Sequence, residues 1–160
     1  MSTKQARLDH GRPWLPPRWF IRTAWAVHRA LYRASGGRLV LVRPKGGVAG
    51  RLRLRTVGRR SGEERAVIVA YWMDGPNYVT LAMNGWGDPP PAWWLNLQAH
   101  PDVEVDTVDG THAVHGRAAV GDERARLWAG FADYRGWGEG IDRFAALRSR
   151  ETPVVVLEPR

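Results

Sequence analysis

The segment Thr56-Val57-Gly58-Arg59-Arg60-Ser61-Gly62-Glu63-Glu64-Arg65 gathers groups that hold anions. A glycine-bounded turn exposes backbone N–H groups, two guanidinium forks add charge-assisted donors, and a serine hydroxyl completes a cradle for phosphate or carboxylate. Arg65 opens the next apolar run and can close the cradle. For these residues taken alone, a solvated hairpin tip is the plain alternative. A second segment, Leu81 to Leu97, reads L-A-M-N-G-W-G-D-P-P-P-A-W-W-L-N-L. Its small residues let a flat ring lie close to backbone. Pro91 can then open a helix whose N-terminus favours an anion. Trp93 and Trp94 can wall such a pocket or fill the core.

Other chemistries find no candidates. No G-x-S-x-G elbow, Walker A sequence or G-x-G-x-x-G fingerprint occurs. His112 and His115 lie three apart on a predicted strand, which sends them to opposite faces and makes them poor joint metal ligands. With no cysteine in the chain there is no disulfide, thiolate-bound zinc, iron–sulfur cluster or catalytic thiol. No carboxylate pair sits in an evidently apolar setting. No side chain is therefore assigned as catalytic, no metal is expected, and any redox chemistry belongs to a bound cofactor.

The elements that must position these residues follow from periodicity. Pro16 and Pro17 suit a helix start, Phe20, Ala24, Val27, Leu31 and Ala34 form a helical stripe, and Gly36-Gly37 ends it. Residues 1–15 read as a flexible leader and 16–36 as an N-terminal helix of a single domain spanning 16–160. Period-two runs predict strands over 38–43, 51–57, 65–73, 78–83, 103–108, 111–120 and 153–157, with turns at Asp74-Gly75-Pro76-Asn77 and Asp109-Gly110. Helices are expected over 92–100, 122–134 and 141–150. Strand–turn–strand order favours antiparallel pairing, hence a small closed or partly closed barrel with peripheral helices.

The 160 residues carry 24 Lys+Arg and 16 Asp+Glu, a formal charge of +8, and nine tryptophans. The charge is uneven: residues 1–65 hold 16 basic and 3 acidic residues, a net of +13, and residues 66–160 hold 8 and 13, a net of −5. Arg18, Arg22, Arg29 and Arg33, with Trp25 and Tyr32, make residues 16–36 a candidate for peripheral contact with anionic lipid. No run of apolar residues is long enough to cross a membrane and no secretory signal is evident, so a cytoplasmic protein is expected.

The blocks T-x-G-R-R-S-G-x-x-R, A-x-N-G, P-A-W-x-x-N-L-x-x-x-P and P-V-V-V-x-E-P, in this order from Arg38 to Pro159, resemble the deazaflavin-dependent nitroreductase and quinone reductase family. The resemblance implies an α+β, mainly antiparallel split β-barrel, like that of FMN-binding split-barrel proteins, with an N-terminal helix. It implies coenzyme F420 as cofactor, and hydride transfer from F420H2 to a small-molecule acceptor: a quinone, nitro-aromatic or activated alkene. By matching position, Arg59, Arg60, Ser61, Gly62 and Arg65 hold the coenzyme's phosphate and acidic tail. Met83, Asn84 and Gly85 lie beside the ring, Ala92 and Trp93 wall the site, and Trp86, Tyr134 and Trp137 line the acceptor side. Two positions depart from the family pattern: Met83 replaces a small polar residue, and Pro89 stands near a usual lysine. A split barrel binding FMN, haem or lipid is the alternative. A single-stranded nucleic-acid binder fits worse, because the acidic second half opposes a wrap-around groove. The oligomeric state is left open.

Overall fold

The structure is a computed structural model that describes residues 19, 23, 26, 27, 30, 40–135 and 140–160. Six strands form a closed antiparallel barrel: β1 (Gly50–Val57), β2 (Glu64–Asp74), β3 (Asn77–Leu81), β4 (Asp102–Thr107), β5 (Gly110–Ala118) and β6 (Val154–Pro159). The order around the barrel is β1-β2-β3-β6-β5-β4, with β4 returning to β1. Three tight connections, β1–β2, β2–β3 and β4–β5, fall at the predicted turns. The other links run through helices α1 (Ala92–Ala99), α2 (Gly121–Gly130) and α3 (Ile141–Ala145), with a single 3₁₀ turn at Phe131–Asp133. This is the split β-barrel that the resemblance implies.

The alternation R-L-R-L-R of β1 is read out directly. Leu52 and Leu54 are fully buried in the barrel interior, each worth about 1.5–3 kcal/mol over exposure. Arg53 and Arg55 turn outward and meet carboxylates on β4. The register sets Arg53 opposite Asp106 and Arg55 opposite Glu104. Asp106, only 6% exposed, accepts from Arg53 Nη1 at 3.2 Å, Arg55 Nε at 3.0 Å and Thr111 Oγ1 at 2.7 Å. Burial pushes its carboxyl up, but the Thr111 hydrogen bond, the charge of Arg55 and the hydrogen bonds from Arg55 and Arg53 outweigh that and hold it below the usual range.

Two apolar clusters divide the molecule. One fills the barrel, where Tyr71, Tyr78, Val105, Val114, Val155 and Leu157 meet Trp93, Trp94 and Leu97 of α1. Gly116 permits that seating, since a Cβ there would lie 2.6 Å from the Leu97 methyls. The other lies outside the β2–β3–β6 sector, where Trp72, Val79, Leu81, Val154 and Val156 pack against Leu127, Phe131 and Ile141. With both faces covered, β6 reads as a continuous V-V-V-L run instead of alternating. His112 lies near the Tyr78 ring at 6.4 Å, and His115 pairs with Asp102 at 2.8 Å.

The strand predicted over 38–43 is the main correction. Residues 38 and 39 lie outside the described residues. Of the remainder, Val42 makes only an isolated bridge to Arg51, and Lys45 bridges Val48. Beta periodicity alone did not secure a ladder, because β1 is already paired on both sides by β2 and β4. The helix predicted over 122–134 stops at Gly130 and tightens into the 3₁₀ turn, and that over 141–150 is helical only to Ala145. Of residues 16–36, Trp19, Thr23, Ala26, Val27 and Ala30 are described, all helical and all exposed. The predicted leader and Trp137 lie outside the described residues.

Candidate functional site

The β1–β2 turn is closed by two backbone bonds, Gly58 N–H to Glu63 O at 2.8 Å and Gly62 N–H to Gly58 O at 2.7 Å. Gly62 takes φ +71°, a left-handed value that glycine adopts without a steric penalty. Gly58 leaves room for the Ser61 hydroxyl: a Cβ there would meet Ser61 Oγ at 2.6 Å and make it turn away. Two further N–H groups are committed, Glu63 to Ser61 Oγ at 3.3 Å and Arg59 to Asn96 Oδ1 at 3.2 Å. Those of Arg60 and Ser61 have no acceptor among the described residues.

Across from this turn stand the end of β3 and the start of α1. Together they enclose a cleft of about 950 Å³ lined by the turn residues Gly58, Arg59, Arg60 and Ser61, by Arg65, and by Met83, Asn84, Ala92 and Trp93 opposite. Eight of the ten residues assigned to the cofactor thus line one cavity. The other two are glycines that shape its walls: Gly62 in the basic turn and Gly85, φ +56°, beside Asn84. Ala26 of the N-terminal helical residues also lines the cleft. The helix N-terminus at Pro91 and Ala92 has no side-chain cap, which leaves its positive end facing the cavity.

The electrostatics of the cleft are set by which arginines find partners. Arg65 Nη2 pairs with Glu63 at 2.7 Å, but both side chains are more than half exposed, so the pair is weak and easily exchanged. Arg59 Nη1 reaches only the neutral Asn96 Oδ1, at 3.4 Å. Arg60 has no ion pair among the described residues. Among the described residues, no Asp, Glu or His belongs to the lining. The cavity is a cationic rim above an apolar floor of Val67, Met83, Pro91 and Trp93, suited to an anionic tail joined to a flat ring.

Asn96 was not among the residues assigned from sequence. It is 5% exposed, its Oδ1 takes the Arg59 N–H, and its Nδ2 donates to Thr56 Oγ1 at 3.4 Å, whose hydroxyl donates to Arg65 O at 3.3 Å. The sequence signal was a lone amide inside the buried run W-W-L-N-L, where an unpaired polar group would cost about 1–3 kcal/mol.

Of the three residues assigned to the acceptor, Trp137 lies outside the described residues, and Trp86 and Tyr134 are not in the cleft lining. Trp86 stacks on Phe144 at 5.8 Å and 19°, and Tyr134 on Trp72 at 5.8 Å and 27°. Both pack against the second cluster, as Met83 does from inside the cleft wall. Trp86 has φ +62° and follows Gly85, so Asn84–Gly87 is a tight turn closed by Gly87 N–H to Asn84 O at 2.9 Å. A left-handed tryptophan costs about 1–3 kcal/mol. The stack on Phe144 returns about 0.5–1.5 kcal/mol, so it does not hold the turn unaided.

A family model described as F420H(2)-dependent quinone reductase matches residues 25–159. An F420H(2)-dependent quinone reductase of Mycobacterium tuberculosis is 32% identical over 137 residues, covering 84% of this chain and 89% of the relative. Among solved structures, one described as a domain-swapped dimer superposes with a TM-score of 0.63 at 24% identity, covering 89% of this chain and 100% of that one. An F420-H2 dependent reductase superposes with a TM-score of 0.58 at 24% identity, covering 68% and 93%. These two likenesses concern the fold.

Proposed function

Because the chain belongs to the F420H(2)-dependent quinone reductase family, we propose that its cleft binds reduced coenzyme F420 beside a quinone acceptor. The observation that carries this reading is the meeting of Arg59, Arg60, Ser61 and Arg65 with Met83, Asn84, Ala92 and Trp93 across one cavity of about 950 Å³. When bound, the reduced deazaflavin supplies the hydride. The protein's part is to bind, orient and exclude water.

The basic turn serves the anionic tail. Arg60 offers an uncommitted guanidinium, Arg65 exchanges Glu63 for the ligand, and the N–H groups of Arg60 and Ser61 complete the cradle. Gly62 fixes the turn. Met83, Asn84 and Gly85 border the ring, while Trp93 and Ala92 close the opposite wall. A ring held between such walls meets its acceptor in few orientations, which lowers the entropic part of the barrier to reaction. The acceptor sits on the Met83 side, backed by Trp86 and Tyr134; Trp137, assigned to the same role from the sequence, lies outside the described residues. The exposed Trp19 and Val27 of residues 16–36 give a peripheral membrane contact through which an apolar quinone would arrive. No helix among the described residues is long and apolar enough to cross a membrane.

The test is a titration of the purified protein with oxidised F420, following tryptophan fluorescence, with FMN as the comparison. Quenching by F420 on the order of tens of micromolar is expected, as is oxidation of F420H2 by a soluble quinone. No quenching in that range, or quenching by FMN alone, would overturn the reading.

A further inference from the structure

Arg148 is 92% buried by its 8% exposure, and no carboxylate lies within ion-pair distance among the described residues. Its Nη1 donates to Thr152 Oγ1 at 2.7 Å and to Ala82 O at 3.5 Å, and its Nη2 donates to Asp88 O at 3.4 Å. Its Nε has no hydrogen-bond partner among the described residues. Burying a guanidinium whose hydrogen-bond acceptors are neutral is costly, and the favourable charge of nearby Asp88 does not outweigh the burial, so the arrangement calls for a reason beyond stability.

The acceptors supply one. Ala82 and Asp88 flank the segment that carries Met83 and Asn84 into the cleft and contains the left-handed Trp86. The same stretch of chain holds that segment twice more. Ser149 N–H donates to Asp88 Oδ1 at 2.6 Å, and Phe144 stacks on Trp86. One guanidinium therefore ties the entry and the exit of a strained turn to β6 through Thr152, two residues before that strand begins.

We propose that Arg148 is a positioning residue for the reductase reaction: it fixes the 82–88 loop so that Met83 and Asn84 border the cofactor ring in one geometry. This rests on the reading of the cleft as an F420 site. The tail is held by the separate β1–β2 turn, so loosening the loop disturbs the ring's orientation more than the ligand's affinity. Arg148→Lys keeps the charge but gathers its donors on one nitrogen, which cannot span Ala82 O, Asp88 O and Thr152 at once.

The experiment compares wild type, Arg148→Lys and Asp88→Ala, the last cutting the Ser149 anchor at an exposed position. For each, kcat with F420H2 and a soluble quinone, Kd for oxidised F420, Tm, and hydrogen exchange at the Gly87 amide are measured. The expected result is a kcat roughly tenfold lower in Arg148→Lys and roughly threefold lower in Asp88→Ala, with Kd within about twofold of wild type. Gly87 exchange should quicken by roughly tenfold in Arg148→Lys while Tm changes little. Unchanged kcat in both variants overturns the proposal. So does a joint fall of kcat, affinity and Tm, which marks a general folding role. Should Arg148→Lys not fold, Asp88→Ala decides by the same criteria. If wild type neither binds nor oxidises the coenzyme, the functional reading has failed; Gly87 exchange then still reports the grip, and its failure to quicken overturns that separately.

Discussion

The arginines of β1 and those of the turn after it differ in fate, although only three residues separate Arg55 from Arg59. Arg53 and Arg55 stand in a register that sets Asp106 and Glu104 opposite them, and their charge is spent on closing the barrel between β1 and β4. Arg59 and Arg60 lie past the end of β1, where no strand faces them, and their charge stays available to a ligand. Position in the ladder, and not residue type, decides which guanidinium is structural and which is a receptor. The net +13 of residues 1–65 is thus partly met by the acidic second half, since Arg43 also pairs with Asp109.

Removing a carboxylate from the first region should give the largest effect. Asp106→Ala leaves Arg53, Arg55 and Thr111 without their shared acceptor and is expected to cost about 3 kcal/mol. Calorimetry should show a Tm lower by roughly 6–12 °C, with F420 affinity within about twofold of wild type. A Tm that stays put would mean that those arginines are as uncommitted as Arg60. Next comes Arg60→Ala, expected to weaken oxidised F420 by about 1.5–3 kcal/mol, tenfold or more, with no loss of Tm. Unchanged quenching curves would move the anion site elsewhere. Asn96→Ala falls between the regions: it strands the Arg59 N–H, so about 1–2 kcal/mol of stability and a few-fold of affinity should go together. If chemical denaturation and binding do not move in step, the amide serves one region alone.

The smallest expected effect is that of pH. Hydrogen bonds from Arg126 to Asp74 and from Arg117 to Glu123 hold both carboxyls below their usual range, and Asp106 is held low as well. A carboxyl depressed in the folded state contributes stability that is complete above its unfolded value, near 4, and is lost as pH falls through the folded one. Tm should therefore hold from about pH 7 to 5 and decline below about 4. Asp106→Ala should decline less steeply than wild type. Equal slopes would show that Asp106 carries no linkage.

Much of this was legible from sequence for physical reasons. Period two reports the face a residue uses, so Leu52, Leu54 and the arginines between them were placed without a structure. The Asp74–Asn77 and Asp109–Gly110 turns follow from local backbone preference, and the G-R-R-S-G turn from its donors. Partners across the ring are a different matter. Nothing near Asp106 announces Arg53, and nothing near Asn96 announces the turn 37 residues earlier. Arg148, in a stretch that reads as a polar helical surface, gave no sign of burial. Trp86 and Tyr134 are aromatic residues near the right blocks, yet stacking on Phe144 and Trp72 depends on a long-range fold that composition does not encode.

The ring closes unevenly. β2 pairs with β1 over Glu64–Tyr71 but with β3 only over Trp72–Asp74, so eight residues of β2 keep one side without a strand partner among the described residues. That stretch includes Arg65, Ala66 and Val67, which line the cleft, so the gap in the ring and the candidate site coincide, and a ligand seated there would also cover a strand edge that could otherwise template pairing with another chain.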